Sequence, residues 1–173
     1  MVEITYQMVL STLQTIALIV GIAYYLIIMR NSQRNQQIQI ETRQAQLFMQ
    51  IYDHYNDREF AKMVQEPLNV WKWEDVDDGW EKYGPETNIE ASSTWISVFN
   101  YFKGVGVLVK RNQMDISVVH DLLSSFLVPI WEKWEPMIMR YRELYNQPTA
   151  WEGAEYLYKE LIRYIEEHPE LKT

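Results

Sequence analysis

From Ile4 to Met29 the chain runs for 26 residues without one charged side chain, and its centre reads Ile16-Ala17-Leu18-Ile19-Val20-Gly21-Ile22-Ala23-Tyr24-Tyr25-Leu26-Ile27-Ile28-Met29. A hydrocarbon core about 30 Å thick is crossed by roughly 20 apolar residues rising about 1.5 Å each, so the run predicts a transmembrane helix. A cleaved signal peptide would need a basic start, an apolar stretch of roughly 7 to 15 residues and a small-x-small cleavage site. Here Glu3 precedes the run without any Lys or Arg, and no Ala-x-Ala comes after it, so the segment is expected to remain in the mature protein. Arg30, Arg34 and Arg43 all lie beyond its C-terminal end. The positive-inside tendency then predicts a single-pass protein of the cell membrane with its C-terminal domain in the cytoplasm.

The chain beyond the span is expected to form one small domain. The divisions read from the sequence are a transmembrane anchor over 1–30, a helical stalk over 31–56 and a cytoplasmic helical domain over 57–173. The net charge is −8, and residues 61–173 carry 12 basic against 19 acidic side chains. Such a surface repels phosphate, so nucleic acid is not an expected partner; the expected ones are the lipid bilayer and integral membrane protein subunits, or the chain's own copy. The absence of cysteine rules out disulfides and thiolate metal sites. Seven Trp and twelve Tyr are too many for a disordered tail.

The stalk is rich in Gln and holds neither Pro nor Gly from Asn31 to Glu66, so a helix can continue out of the bilayer. Ala45, Phe48, Ile51 and Tyr55 recur at amphipathic spacing, flanked by Leu47 and Tyr52. Asn56-Asp57 offers a break and an N-cap for a short helix from Arg58, which Pro67 is expected to close. Residues 68–90 read as a loop excursion with a helical turn near Trp80 to Tyr83 and a solvated acidic run, Glu74 to Asp78. A long helix is predicted from Ala91 to Lys110, presenting Trp95, Val98, Phe99, Phe102, Val105 and Val109. Asp115 should cap a helix through Val118, Leu122, Leu123 and Phe126, after which Pro129 and Pro136 should kink or interrupt the segment bearing Trp131, Trp134, Ile138 and Tyr141. Thr149-Ala150-Trp151-Glu152 matches a capping box for a last helix ending near Glu167. No segment alternates with period two between hairpin turns, so the class is all-α.

The order of these signals resembles a family of short single-pass prokaryotic membrane proteins grouped as domain of unknown function 4760. Its carriers are the N-terminal span, Leu47 to Tyr52 before Arg58-Glu59-Phe60, Val98 to Gly106 leading to Met114-Asp115, Pro129-Ile130-Trp131 with Arg140, and Trp151 to Leu157. The resemblance implies a membrane-anchored helical domain and no activity. Where members of the family often carry an acidic residue in the long helix, this chain has Asn100.

No catalytic signature is present. The residues three before His54, His120 and His168 are Ile51, Ser117 and Ile165, so the Glu-x-x-His pairs of di-iron bundles are absent. His-Glu-x-x-His does not occur either. Gly104-Val105-Gly106 opens like a dinucleotide loop, but Val109 stands at the third glycine position, and close helix packing accounts for it better. Asp53, His54 and Asp57 read as a solvated stalk end, and Glu74 to Asp78 lacks the order of an EF-hand. No catalytic residue, metal or cofactor is expected.

Two features point to binding. Gln7, Ser11, Gln14, Leu18, Gly21 and Tyr25 fall on one stripe of the span, beside the small-x-x-x-small pair Ala17 and Gly21. Small residues let backbones approach, and interhelical hydrogen bonds in lipid contribute about 0.6 to 2 kcal/mol, so Ser11, Gln14, Ala17, Gly21 and Tyr25 are the expected contact face. Trp71 and Trp73 can anchor the core, which is the default for Trp, insert at a membrane interface, or form a hot spot for a partner. The expected function is a non-enzymatic accessory or regulatory subunit attached to a larger membrane complex. An energy-converting enzyme such as the methanogens' membrane methyltransferase would suit it. The alternatives are a self-associating membrane scaffold and, third, an enzyme with an unrecognised site.

Overall fold

The computed structural model describes residues 6–171; Glu3, Ile4 and Thr173 lie outside them. Among the described residues there are helices and turns and no strand: α1 Tyr6–Tyr55, α2 Arg58–Gln65, α3 Val76–Tyr83, α4 Ile89–Lys110, α5 Ile116–Leu144 and α6 Glu152–Glu167. The class is therefore all-α. The chain divides into two compact units, Met1–Ala45 and Gln46–Thr173.

In the first unit α1 stands alone. It contains a stretch long and apolar enough to cross a membrane, and none of that stretch is buried within the structure.

In the second unit, capping carboxylates and amides set the helix starts. Asp57 accepts from the Phe60 N–H at 2.9 Å, Asn88 from Ala91 at 3.0 Å, and Asp115 from Ser117 at 2.8 Å, each closing a donor that the first turn leaves open. Asn112 and Asn146 end α4 and α5 in the left-handed region, with φ of 53° and 50°, and Gln113 and Gln147 bond back to Leu108 and Arg142.

Four local features differ from what the sequence predicts. Pro67 does not end the short helix; α2 passes into a π-helical turn, Glu66–Val70, closed by the Trp71 N–H on the Glu66 carbonyl at 3.0 Å. The acidic run is not a free loop, because Asp75 caps α3 and Asp77 and Asp78 form its first turn, where the helix dipole favours negative charge. Pro129 and Pro136 do not interrupt α5, which continues through both; the carbonyls they leave unpaired, on Ser125 and Glu132, belong to exposed residues that water can reach. Thr149 does not cap α6. The preceding residue, Trp151, has φ 55° with no side-chain cap, and the Glu152 N–H bonds the Thr149 carbonyl instead of its hydroxyl.

The core is aromatic. Trp95, Phe99, Trp131 and Trp134 are almost wholly buried, with Trp95 and Trp134 at 5.3 Å between centroids and Phe99 and Trp131 edge-on at 6.0 Å. These rings lie between α4 and α5 and hold them apart, whereas α4 and α6 meet closely because both crossing residues are glycine. A Cβ on Gly106 would sit 1.8 Å from the Gly153 carbonyl oxygen. Gly104-Val105-Gly106 is therefore a packing feature, with Gly104 open to space.

The end of α1 contributes Ile51 to this core, with Leu47 and Tyr55 packed against it. Leu47 thus belongs to the inward face, while Phe48 stacks on Tyr52 and Ala45 is exposed, a rotation from the predicted stripe. On α5 the inward residues are Val119, Leu123, Phe126 and Leu127, so Val118 and Leu122 lie at its margin.

Candidate partner-binding surfaces

In the apolar stretch of α1 every described Ser or Thr closes on its own helix. Ser11 Oγ and Thr12 Oγ1 donate to the Met8 carbonyl at 3.0 and 2.7 Å, and Thr15 Oγ1 donates to Ser11 at 2.9 Å. Such back-bonding makes a hydroxyl acceptable in an apolar medium. Gln14, between them, has no hydrogen-bond partner among the described residues. Gln14, Ala17, Leu18, Gly21, Ile22 and Tyr25 line one shallow groove, and a Cβ on Gly21 would meet nothing within 4 Å. Four of the five residues of the expected contact face thus share one groove, and the Ser11 hydroxyl is turned into its own helix.

Trp71 and Trp73 come directly after the π-helical turn, and both are half-buried. Trp71 stacks on Tyr83 at 4.7 Å, and Trp73 meets Trp134 edge-on at 4.9 Å. Of the three roles open to this pair, the internal one is occupied. The segment is held by Lys133 of α5, which sequence reasoning missed. Its Nζ donates to the carbonyls of Pro67, Leu68 and Trp71 at 2.7, 2.8 and 2.8 Å and lies 4.8 Å from the Trp73 ring centroid. Burial, with the nearby Lys72 charge, brings this ammonium down to about 8. Only its position one residue before Trp134 in a run of aromatics could have flagged it.

Other charged groups tie elements together. Arg140 pairs with Asp77 at 2.7 Å with its guanidinium over the Trp80 ring, and Arg142 pairs with Glu155 at 2.8 Å while also bonding the Ala150 carbonyl. Lys159 first, then Arg142, holds the Glu155 carboxyl below the usual range. Asn100 accepts from the Trp151 indole N–H at 3.0 Å, a structural task. Tyr101 donates to the Ile51 carbonyl at 3.3 Å, and burial pushes its phenol up to about 12. His54 packs against Phe60 and Tyr101, and Asp57 is used as a cap, so the stalk-end trio does not converge. Among the described residues no three His, Asp or Glu side chains are grouped to hold a metal ion.

Fold and surfaces together define a class: an all-α protein in which an aromatic-cored helical unit comes after a long, unburied apolar helix. A family model described as a domain of unknown function, DUF4760, matches residues 11–161, and the chain belongs to that family. The match takes in most of the apolar stretch along with the helical unit. No curated protein and no solved structure matches the chain.

Proposed function

We propose that this chain is a non-enzymatic, single-pass membrane subunit whose apolar helix docks on an integral membrane partner, with the helical unit in the cytoplasm as its accessory or regulatory part. The observation that carries the reading is Gln14: the one amide in the middle of an exposed apolar helix, without a partner, beside the gap left by Ala17 and Gly21. In hydrocarbon an unpaired amide is costly, and a neighbouring helix would satisfy the amide and fill the groove together. Charge supports the same arrangement. Residues 46–173 carry 13 basic and 22 acidic side chains, which disfavours nucleic acid and anionic headgroups as ligands of that unit. The three arginines of the first unit all lie after the span.

The test is purification in mild detergent of wild type and of Gln14→Leu with Gly21→Ile. Both substitutions raise hydrophobicity, so insertion should persist while the partner subunits are lost. Ile16→Leu and Ile19→Leu should change nothing. Co-purification of the double variant at wild-type stoichiometry would remove the groove as the interface, and a clean homodimer of the wild type would favour the self-associating scaffold.

A further inference from the structure

Tyr55, Asn56, Phe60, Ala61, Val64, Gln65 and Phe126 line a half-open cavity of about 210 Å³ between the end of α1, α2 and α5. Phe60, Val64 and Phe126 are buried, and Tyr55 stacks parallel on Phe126 at 5.2 Å, so the inner wall is fixed by the core itself. Asn56, Ala61 and Gln65 are exposed and form its solvent side. In a unit so rich in acids, none of the seven lining residues is charged. None of them offers a counter-charge to a carboxylate, phosphate or amine, so an uncharged guest gives up the least hydration there.

Besides the Tyr55 hydroxyl, the polar side chains of the lining are two exposed amides, each already tied at one end. Asn56 Nδ2 donates to the Tyr52 carbonyl, which leaves its Oδ1 as an acceptor. Gln65 Oε1 accepts from Asn69, which leaves its Nε2 as a donor. We infer that this cavity is a binding site for a small, flat, uncharged molecule bearing a carboxamide or lactam, whose N–H meets Asn56 and whose carbonyl meets Gln65. The volume falls below the roughly 300 to 1,000 Å³ of drug-sized pockets, so the guest is fragment-sized. The inference rests on the second unit alone and stands apart from the membrane reading.

The probe is 4-fluorobenzamide, monitored by ¹⁹F line broadening against the full-length chain in nanodiscs, with empty nanodiscs as reference. Broadening should saturate, and unlabelled benzamide should reverse it while benzoate and benzamidine do not. Ala61→Phe, at an exposed helical position, should abolish the saturable part with the helical circular dichroism unchanged. Asn56→Leu should weaken binding about tenfold, the loss of one hydrogen bond. Gln65→Glu exchanges the donor for an acceptor and should reverse the preference toward benzamidine. Equal competition by benzoate, saturable binding retained in Ala61→Phe, an unchanged preference in Gln65→Glu, or no signal above empty nanodiscs would each overturn the assignment.

Discussion

Gly104 and Gly106 sit two apart on α4 and are distinguished only by what lies opposite them. Gly106 faces the Gly153 backbone, so Gly106→Ala forces the α4–α6 crossing apart and should cost about 1 to 3 kcal/mol, whereas Gly104 faces open space and Gly104→Ala should stabilise by about 0.5 to 1 kcal/mol. Chemical denaturation of the two variants beside wild type reads both signs, and a Gly106→Ala protein as stable as wild type would refute the close crossing. Trp134 is fully buried, meets Trp71, Trp73, Trp95 and Phe99, and its indole N–H bonds the Pro67 carbonyl at 3.2 Å. Trp134→Ala should cost about 3 to 5 kcal/mol, enough to unfold so small a unit. Lys133→Met keeps the stem and removes the ammonium from three carbonyls. A destabilisation of about 1 to 3 kcal/mol with red-shifted tryptophan emission is expected, and unchanged emission would mean that Trp71 and Trp73 hold themselves.

At the scale of elements, α6 is fastened to α5 by Arg142 and Glu155 and to α4 by the glycine crossing. The folded Glu155 carboxyl titrates below its unfolded value of 4.5. Its contribution is therefore complete above that pH and is lost as the pH falls through the lower, folded value. Urea midpoints should fall on acidification below about pH 4.5, less steeply in Glu155→Gln. An identical acid limb in that variant would assign the loss to other carboxylates such as Asp78 and Asp115, whose capping and pairing also lower them. The same scale explains where local rules gave way. Thr149-Ala150-Trp151-Glu152 has the letters of a capping box, but the indole of Trp151 is drawn into the core and onto Asn100, and that demand outweighs one capping bond. Both prolines are tolerated inside α5 because buried Ile130, Trp131, Trp134 and Met137 hold that helix on its other side.

For the whole molecule, a chain beginning near Thr42 retains Leu47, Ile51 and Tyr55 and every residue of the aromatic core. It should be soluble and helical by circular dichroism, and a strand-dominated spectrum would refute the all-α reading. A reporter fused after Thr173 should be active only in its cytoplasmic form, and reversal should require basic residues added before Thr5 and removed at Arg30 and Arg34.

The apolar run, the helical class, the long α4 with its inward face and the caps Asp57 and Asp115 were legible in the sequence because each is a local property. An uncharged run, a 3.6-residue period and a short polar side chain before a helix depend on neighbours within a few residues. Gln14 was legible in the same way, as a polar residue where none is needed. Tertiary structure alone decided the π-helical turn, the continuity of α5, the left-handed Trp151 and the cage of carbonyls around Lys133. Each depends on contacts with groups far apart in the chain, as Lys133 holds Pro67 across 66 positions, and there the burial of indole rings outweighs the preference of any single turn.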